Sequence, residues 1–399
     1  GLAPTQPPAE AAPEPDETQA PGMAPDPDAA FRLLDEVYSL SEPEDQIQRV
    51  FEAAKAAPGD ADVLINCAQI LFYLDSEGKH LDQCEQWLRE ALKAAKGGQR
   101  TSALQLLAEQ LVYQDRTDEA AALIRGALEE TPRDELLQTT YATVLYYGGK
   151  NEEAIAYLEE LLEDAPRNME AARLRAAVLL SEARFDDAMT AYRQIGREWP
   201  EYLDGMYGEY QVYVASGQFD RGLRVMDELI RNGGEYGLWL ERARIRLWKM
   251  YDPEGALAEA EALLRSDPGW IDAGVVKIGS LLMLKENGRA KQAADEIAKE
   301  DADYADLLRG VVAMNDDRWQ DADTLLKSLS VRLPQMYQAE KNRAIIRLMA
   351  YDDPEGALLR LSKAFEVDES WQDGDMFVQL GHAYRRQGKL LEAARAYAA

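Results

Sequence analysis

A repeat of 34 residues constrains the fold of this chain more than any other feature of its sequence. Four prolines and one glycine lie on this register, at Pro132, Pro166, Pro200, Gly234 and Pro268. A small residue stands twelve positions before each of them, and that series continues for one more period: Ala120, Ala154, Ala188, Gly222, Ala256 and Ala290. Two series with a common period indicate a chain that is built from repeated supersecondary units.

Residues 133–166 show what one period encodes. The segment predicts two amphipathic helices of about a dozen residues, separated by the sequence GGKNEE. The glycines are expected to end the first helix, and Asn151 is expected to cap the second. Pro166 ends that second helix because it has no N–H to continue it. A single pair of this kind cannot bury its apolar faces, so the pattern predicts a stack of helical pairs.

The closing stretch of the sequence carries the most specific pattern. Six residues follow the spacing W-x2-L-G-x2-Y…A-x3-F, with phenylalanine in place of tryptophan: Phe377, Leu380, Gly381, Tyr384, Ala393 and Tyr397. Together with the period and the two-helix unit, this pattern resembles the tetratricopeptide repeat. The resemblance implies an all-α protein, an α-solenoid with a right-handed superhelix of about ten 34-residue helix-turn-helix repeats.

The repeats are preceded by a segment of different composition. Residues 1–28 contain eight prolines, six acidic residues and no Lys or Arg. Residues 1–26 are therefore predicted to be an extended, acidic, Pro/Ala-rich tail, and residues 27–399 to form the superhelix. The repeats are expected at about 27–60, 61–100, 101–134, 135–168, 169–202, 203–236, 237–270, 271–302, 303–336 and 338–371, with a partial repeat at 374–399.

The charge balance limits the classes of partner. The chain has 399 residues and a net charge of −29. Nucleic acid and anionic membrane surfaces both require a basic face, so neither is an expected partner. A cationic partner is permitted, although acidic helix faces also serve solubility alone. No window contains the 18 uninterrupted apolar residues that a membrane-spanning helix needs.

The sequence lacks the motifs of a catalytic or metal site. No P-loop, nucleophile elbow, dinucleotide-binding turn or H-E-x-x-H helix occurs. The two histidines, His80 and His382, do not complete a zinc site with the two cysteines. We therefore expect neither an enzyme nor a cofactor. Cys67 and Cys84 are predicted to be buried free thiols, with a disulfide between them as the alternative for an exported protein.

The resemblance implies a binding surface in place of a catalytic site. In tetratricopeptide arrays the first helix of each repeat lines a concave groove, which commonly holds a peptide or a partner protein. Glu109 and Thr143 are two of the concave positions in this sequence. The concave residues to which we assign a partner-binding role are Phe72, Tyr73, Tyr113, Tyr146, Tyr147, Arg173, Tyr207, Gln211, Glu241, Trp248, Lys249 and Arg385.

The residue types at these positions favour some partners over others. Co-chaperones of the family clamp a C-terminal carboxylate with paired Lys, Arg and Asn, whereas residues 61–270 hold mostly aromatic, acidic or small residues there. Binding of such a C-terminal tail is therefore not expected. Aromatic side chains are rigid anchors in protein interfaces, although some of these tyrosines are expected only to pad neighbouring helices. Aromatic faces flanked by acids also suit a carbohydrate or a cationic polymer.

Two functions follow from this pattern, and both remain open. The first is a non-catalytic scaffold or adaptor in a larger assembly, which binds a protein or an extended peptide in its concave groove. The alternative is the periplasmic repeat region of a bacterial export system for exopolysaccharide or pili. The acidic tail resembles the tether that follows a signal sequence or lipid anchor, so a location outside the cytoplasm is expected. Self-association through the open C-terminal repeat is a further expectation.

Overall fold

The structure of the chain, a computed structural model, describes residues 25–75, 78–234, 237–367 and 374–398. These ranges contain 22 α-helices and no β-strand, which confirms the predicted all-α solenoid fold. The predicted extended tail lies outside the described residues, apart from its last two positions. In chain order the helices are α1 (Pro27–Val37), α2 (Pro43–Ala56), α3 (Ala61–Leu74), α4 (Leu81–Ala91), α5 (Gly98–Tyr113), α6 (Thr117–Glu130), α7 (Glu135–Tyr147), α8 (Asn151–Asp164), α9 (Met169–Ser181), α10 (Phe185–Glu198), α11 (Asp204–Ala215), α12 (Phe219–Arg231), α13 (Gly237–Trp248), α14 (Pro253–Ser266), α15 (Ile271–Met283), α16 (Asn287–Ile297), α17 (Ala302–Asn315), α18 (Trp319–Arg332), α19 (Tyr337–Ala350), α20 (Pro354–Phe365), α21 (Gly374–Arg386) and α22 (Leu390–Ala398).

The chain divides into two compact units, residues 1–198 and residues 199–399. Unit 1 contains α1 to α10, and unit 2 contains α11 to α22. Within each unit every helix contacts the next one along the chain. The first helices of successive pairs also contact each other from α1 to α9 in unit 1 and from α13 to α21 in unit 2. Each unit therefore has a layer of first helices, the face on which the resemblance places a binding groove.

From the second pair of helices onwards, the turn inside each pair contains a residue with left-handed backbone geometry. From the third pair onwards these residues are Asp115, Gly149, Ala183, Gly217, Tyr251, Lys285, Asp317, Asp352 and Gly388. The first six are spaced by 34 residues, so the turn repeats with the same period as the prolines. Only three are glycine, and each of the others costs about 1–2 kcal/mol that the surrounding packing must offset.

The predicted cap of α8 is wrong, although the glycine stop before it is present. Gly148 follows the last residue of α7, and Gly149 has a φ of +70°. The helix α8 then begins at Asn151 itself, and no side chain caps it. The Asn151 amide donates instead to Glu182 Oε1 at 2.5 Å. The residue that follows the left-handed Gly149 takes the N-cap position, and this residue is Lys150, whose side chain has no acceptor for a capping bond.

The two periodic series have separate structural roles. Pro132 stands two residues beyond the end of α6, and the other prolines of the series stand at the same distance from α8, α10 and α14. The alanines of the small-residue series are fully buried. Gly222 takes the same place in α12, where a Cβ atom would lie 3.3 Å from Val214 Cγ2. Small residues thus allow the two helices of a pair to pack closely.

Both cysteines are buried and free in the structure. Burial is the main cause that raises the pKa of Cys67 to about 12 and that of Cys84 to about 12. The Cys67 thiol donates a long hydrogen bond to Val50 O at 3.7 Å. The thiols therefore stay protonated at neutral pH and act as small core side chains, as the first of the two predictions for them states.

Candidate functional site

Unit 1 has a groove on the face formed by its first helices. Most of the lining comes from α5 and α7, while α3 and α9 each contribute one or two side chains. The groove has a volume of about 700 Å³, within the range of ligand-binding clefts in proteins. Its lining residues are Phe72, Gln105, Glu109, Val112, Tyr113, Asp115, Leu136, Thr139, Thr140, Thr143, Val144, Tyr147, Glu170 and Leu174.

The threonines of the groove bond within their own helix. Thr140 donates its hydroxyl to Leu136 O at 2.7 Å, and Thr143 donates to Thr139 O at 2.9 Å. The hydroxyl of Thr139 is bonded in the same way to Glu135 O at 3.0 Å. Because each hydroxyl proton is used inside α7, these side chains present methyl groups and oxygen lone pairs to the groove. The floor is thus apolar, with acceptors but few free donors.

Tyrosines stand at the ends of the first helices in unit 1. Tyr73, Tyr113 and Tyr147, which we call the aromatic column, occupy the thirteenth position of three consecutive predicted repeats. Their exposed fractions are 73%, 60% and 65%. The ring of Phe72 packs edge-to-face on Tyr113, with 5.6 Å between the ring centroids. Large aromatic rings that remain this exposed are typical of a surface that binds a partner.

Three carboxylates line the groove together with the rings of Phe72, Tyr113 and Tyr147. Glu109 lies one turn before Tyr113 on α5, and its Oε1 accepts a hydrogen bond from the Gln105 amide at 2.9 Å. Asp115 lies in the turn that follows α5, in the left-handed conformation. Glu170 lies on α9 and faces Arg173 of the same helix at 3.6 Å. The groove therefore combines an apolar floor, exposed aromatic rings and an acidic rim.

A closed ring of charges holds the turn that contains Asp115. Glu85 and Glu119 alternate with Arg89 and Arg116, and the four contacts between them are 2.7–2.8 Å long; we call this the ion ring. The hydrogen bond from Arg116 is the main cause that lowers the pKa of Glu85, and the same bond raises the pKa of Arg116. The ion ring joins α4 to the start of α6 and thereby fixes the turn at the groove.

The predicted site residues of unit 1 fall into two groups. Phe72, Tyr113 and Tyr147 line the groove, as do the concave positions Glu109 and Thr143. The others lie beside it. Tyr73 packs beside Phe72, with 6.1 Å between the ring centroids, and Tyr146 packs beside Tyr147, with 5.3 Å between them. Arg173 faces Glu170.

The remaining predicted site residues lie in unit 2. Glu241 accepts a hydrogen bond from the Tyr210 hydroxyl at 3.4 Å. Trp248 is half exposed, and its ring packs against α15, where carbons of the ring lie 3.1 Å from the place of a Cβ on Gly279. Tyr207 is half-buried on α11. The residues Gln211, Lys249 and Arg385 are exposed.

Several groove residues were not predicted from the sequence. Leu136 lies in the first turn of α7 and lines the floor of the groove. Its apolar side chain is exposed. Leu174 and Gln105 contribute from α9 and α5, and Asp115 contributes from a turn. The available signal was the repeat register, since Leu136 and Leu174 belong to the first helices of adjacent repeats. Asp115 gave no such signal because turn residues are outside the concave pattern of the family.

The C-terminal pair of helices shows exposed apolar side chains. Leu390 and Leu391 on α22 are exposed, and so are Val378 on α21 and Tyr397 on α22. Self-association through this pair stays a prediction. Within the described residues, no three His, Cys, Asp or Glu side chains are grouped to hold a metal ion. No helix of that part of the chain combines the length and apolar character needed to cross a bilayer.

Comparison with known proteins agrees with the repeat architecture. A family model described as the tetratricopeptide repeat matches residues 141–202, which include α8, α9 and α10 and the C-terminal half of α7. The predicted tetratricopeptide-repeat character is confirmed. Tetratricopeptide folds are generally non-catalytic and serve as protein–protein interaction scaffolds. No curated protein matches the sequence.

Comparison with solved structures finds matches of low sequence identity and low TM-score. A tetratricopeptide repeat protein from Parabacteroides merdae is 14% identical, and the match covers 72% of this chain and 99% of that one, with a TM-score of 0.41. Yeast Tom70 is 14% identical over 84% of this chain and 83% of its own, with a TM-score of 0.40. A chain of the APC/C complex Cut9–Hcn1 is 16% identical over 93% of this chain and 85% of its own, with a TM-score of 0.37. None of them indicates what this chain binds.

Proposed function

We propose that this chain is a non-catalytic scaffold that binds an extended segment of a partner protein in the groove of unit 1. The groove itself carries the proposal. It joins side chains from four first helices, so an occupant that crosses α3, α5, α7 and α9 contacts several repeats at once. A segment of this length suits an extended peptide better than a compact small molecule. The exposed rings of the aromatic column serve as anchors for apolar side chains of the partner.

A substitution that fills the groove tests this function. Thr143→Trp places an indole on the floor, beside Val144 and Tyr147. Peptides enriched on the immobilised wild-type chain from a phage-displayed library of random twelve-residue sequences are the probes, titrated by isothermal calorimetry. We expect Thr143→Trp to weaken their binding at least about tenfold, because loss of a central contact region removes more than 1.4 kcal/mol.

Thr190→Trp provides a matched control in the same unit. Thr190 lies on α10 and is exposed, and its hydroxyl donates to Asp186 O at 2.9 Å, the same bond that Thr143 makes. The control is expected to bind the selected peptides as the wild type does. Circular dichroism establishes that both variants keep their helices. Equal binding by folded Thr143→Trp, or no enrichment of any peptide on the wild type, contradicts the proposal.

We also propose a location outside the cytoplasm, on the composition of residues 1–26. The segment is acidic and rich in proline, as is typical of a tether between an anchor and a folded domain. A role in polymer export is the finer form of this proposal. A fusion of alkaline phosphatase to the natural gene product tests the location, since this enzyme is active only where its disulfides form. An inactive but intact fusion protein contradicts it.

A further inference from the structure

The lining of the groove in unit 1 is acidic and contains no cation. Three of its fourteen residues are carboxylates, Glu109, Asp115 and Glu170, and none is Lys, Arg or His. Charged residues around a binding groove usually complement the charge of the occupant. These three carboxylates therefore favour a cationic occupant wherever the chain itself does not neutralise them.

Two of the three carboxylates have no ion-pair partner in the part of the chain that the structure describes. Glu109 accepts a hydrogen bond only from the neutral amide of Gln105. Asp115 is followed in sequence by Arg116, but that guanidinium is held in the ion ring by Glu85 and Glu119 at 2.7 Å each. Glu170 faces Arg173, and an exposed pair of this type at 3.6 Å is weak. The rim of the groove is thus open to an external cation.

Hydrogen bonding at the groove points to the same kind of occupant. The hydroxyl protons of Thr139, Thr140 and Thr143 are used within α7, so the floor offers oxygen acceptors. The carboxylates at the rim are acceptors as well. An Arg guanidinium has five donors and no acceptor, and a Lys ammonium has three donors and none. A cationic side chain matches this surface, whereas an acidic one finds no charge partner in the lining and few free donors, such as the Tyr113 and Tyr147 hydroxyls.

The aromatic rings supply a second attraction for a cation. Elsewhere in this chain arginine packs on tyrosine: Arg125 lies 5.6 Å from the ring centroid of Tyr141, and Arg347 lies 5.3 Å from that of Tyr351. No cation of the described residues lies over Tyr113. Because Glu109 is one turn from Tyr113 on α5, a single guanidinium can contact both the ring and the carboxylate.

We propose that the occupant of the groove is an extended peptide segment whose apolar residues alternate with Arg or Lys. This inference rests on the proposed function and adds the chemical class of the ligand. Its apolar side chains contact Leu136, Val144 and the aromatic column, and its cations contact Glu109 and Asp115. The same chemistry excludes the chain's own residues 1–28 as the occupant, since that segment has six acidic residues and no cation.

Three synthetic peptides of twelve residues test the inference. They share the same Leu and Ser positions and differ at two sites, which hold Arg, its neutral isostere citrulline, or Glu. Fluorescence anisotropy at about 50 mM NaCl measures their affinities, because salt screens contacts of this kind. We expect the Arg peptide to bind about tenfold more tightly than the citrulline peptide, and the Glu peptide to bind least, since two partly exposed charge contacts each contribute a few-fold.

Two triple variants of equal charge separate local recognition from general attraction. In Glu109→Gln/Asp115→Asn/Glu170→Gln the preference for Arg over citrulline is expected to fall below about threefold, because the local charge partners are gone. The control removes three exposed acids from second helices: Glu129→Gln, Glu160→Gln and Glu163→Gln. It changes the net charge by the same amount and is expected to keep the wild-type preference.

Each outcome decides between the two proposals. If the Arg and citrulline peptides bind the wild type equally and Thr143→Trp abolishes both, the inference fails and the proposed function stands. If both triple variants lose the preference equally, the attraction is non-specific and the inference fails. If no peptide binds the wild type, both proposals fail. If a chitosan hexamer competes with the Arg peptide and binds more tightly than that peptide, the groove is assigned to a cationic carbohydrate. The peptide assignment is then overturned.

Discussion

Units 1 and 2 use the charged residues of their repeats in different ways. In unit 1, carboxylates stand open at the rim of the groove, beside the aromatic column. In unit 2, several buried or partly buried arginines of the first helices pair with acids of the second helices. Arg242 on α13 contacts Asp227 on α12 at 2.5 Å and Glu259 on α14 at 3.1 Å. The same helical-repeat architecture therefore carries a groove with unpaired carboxylates in one unit and ion networks between helices in the other.

The two ion networks of unit 2 are built on one local pattern. In α13 and α14 it consists of Arg242, Arg246 and Asp252, and in α19 and α20 of Arg343, Arg347 and Asp353. Each aspartate accepts a hydrogen bond from the glycine N–H three residues later, at 2.9 and 2.8 Å, and so caps the second helix. This explains why the sequences YDPEGA and YDDPEGA resemble each other: both encode the same capped, charge-paired turn.

The difference shows what a charge in a repeat can do. A cation that is buried with two acids holds neighbouring helices in one arrangement, because any other arrangement leaves an unpaired buried charge. A carboxylate without an internal partner keeps its electrostatic attraction for a ligand. Four predictions compare the two units, beginning with the largest effect.

Removal of Arg343 is expected to have the largest effect on stability. Only 3% of its side chain is exposed, and it pairs with Asp323 at 2.9 Å and Glu340 at 3.0 Å. Arg343→Ala leaves these two acids without their shared cation, which costs about 3–5 kcal/mol. Urea unfolding and hydrogen exchange in α18, α19 and α20 measure the loss. In the control, Arg244→Ala breaks an exposed pair with Asp272 and is expected to cost less than about 1 kcal/mol. Equal losses contradict the distinction.

Two glycine-to-alanine substitutions compare the packing of the two units. Gly310 lies on α17, where a Cβ atom would stand 2.8 Å from two carbons of the fully buried Leu326. Gly310→Ala is therefore expected to destabilise the chain by about 1–3 kcal/mol. Gly126 lies on the exposed side of α6 with no atom within 4 Å of its Cβ position, so Gly126→Ala is expected to stabilise by about 0.5–1 kcal/mol. Thermal melts measure both, and shifts of the same sign contradict the prediction.

Truncation of one ring in the aromatic column is expected to change binding and leave stability unchanged. Tyr113 is 60% exposed, so Tyr113→Ala removes little buried area. Loss of an aromatic anchor of this kind weakens binding of the Arg peptide by about fivefold to thirtyfold. Tyr202→Ala is the control, because Tyr202 is an exposed tyrosine of unit 2. Unchanged affinity in Tyr113→Ala places the binding surface elsewhere.

Sequence periodicity predicted the fold because packing requires it. The small residues on the 34-residue register are buried, and the prolines follow the ends of second helices, so both series report steric constraints that act locally. The Asn151 cap was wrong because the N-cap position directly follows the left-handed Gly149, which makes Lys150 the N-cap and Asn151 the first residue of α8. The start of α5 also differed: it begins at Gly98, three residues before the predicted repeat, after Gly97 with a φ of +52°.

The candidate site was predictable only where it follows the repeat. Phe72, Tyr113 and Tyr147 lie on the register of the first helices, and all three line the groove. Exposure and charge pairing are not periodic, because they depend on which side chains of neighbouring helices meet. For that reason the sequence did not reveal that Glu241 accepts a bond from Tyr210 while Glu109 faces the groove. It also did not reveal that Arg116 pairs with Glu85 and Glu119 in the ion ring and not with the adjacent Asp115.

The prediction with the smallest expected loss of stability concerns the ion ring. It is specific because the ion ring is a charge network in the unit that has the open groove. The pKa of Glu85 lies below its ordinary value of 4.5, chiefly through the hydrogen bond from Arg116. A lowered folded-state pKa means that the carboxylate stabilises the fold above the unfolded-state pKa, and that this contribution is lost as the pH falls through the folded-state pKa. Glu85→Gln is therefore expected to cost about 1 kcal/mol at pH 7.

The difference in stability between Glu85→Gln and the wild type is expected to shrink as the pH falls below 4.5, because the wild-type carboxyl then becomes neutral as well. Thermal melts at steps of about one pH unit from pH 7 to pH 3 measure this difference in stability across the titration range. Glu129→Gln, which removes an exposed acid of α6, is expected to follow the wild type at every pH. A difference that stays constant over this range means that Glu85 acts through packing alone, and the ion ring then does not fix the Asp115 turn by charge.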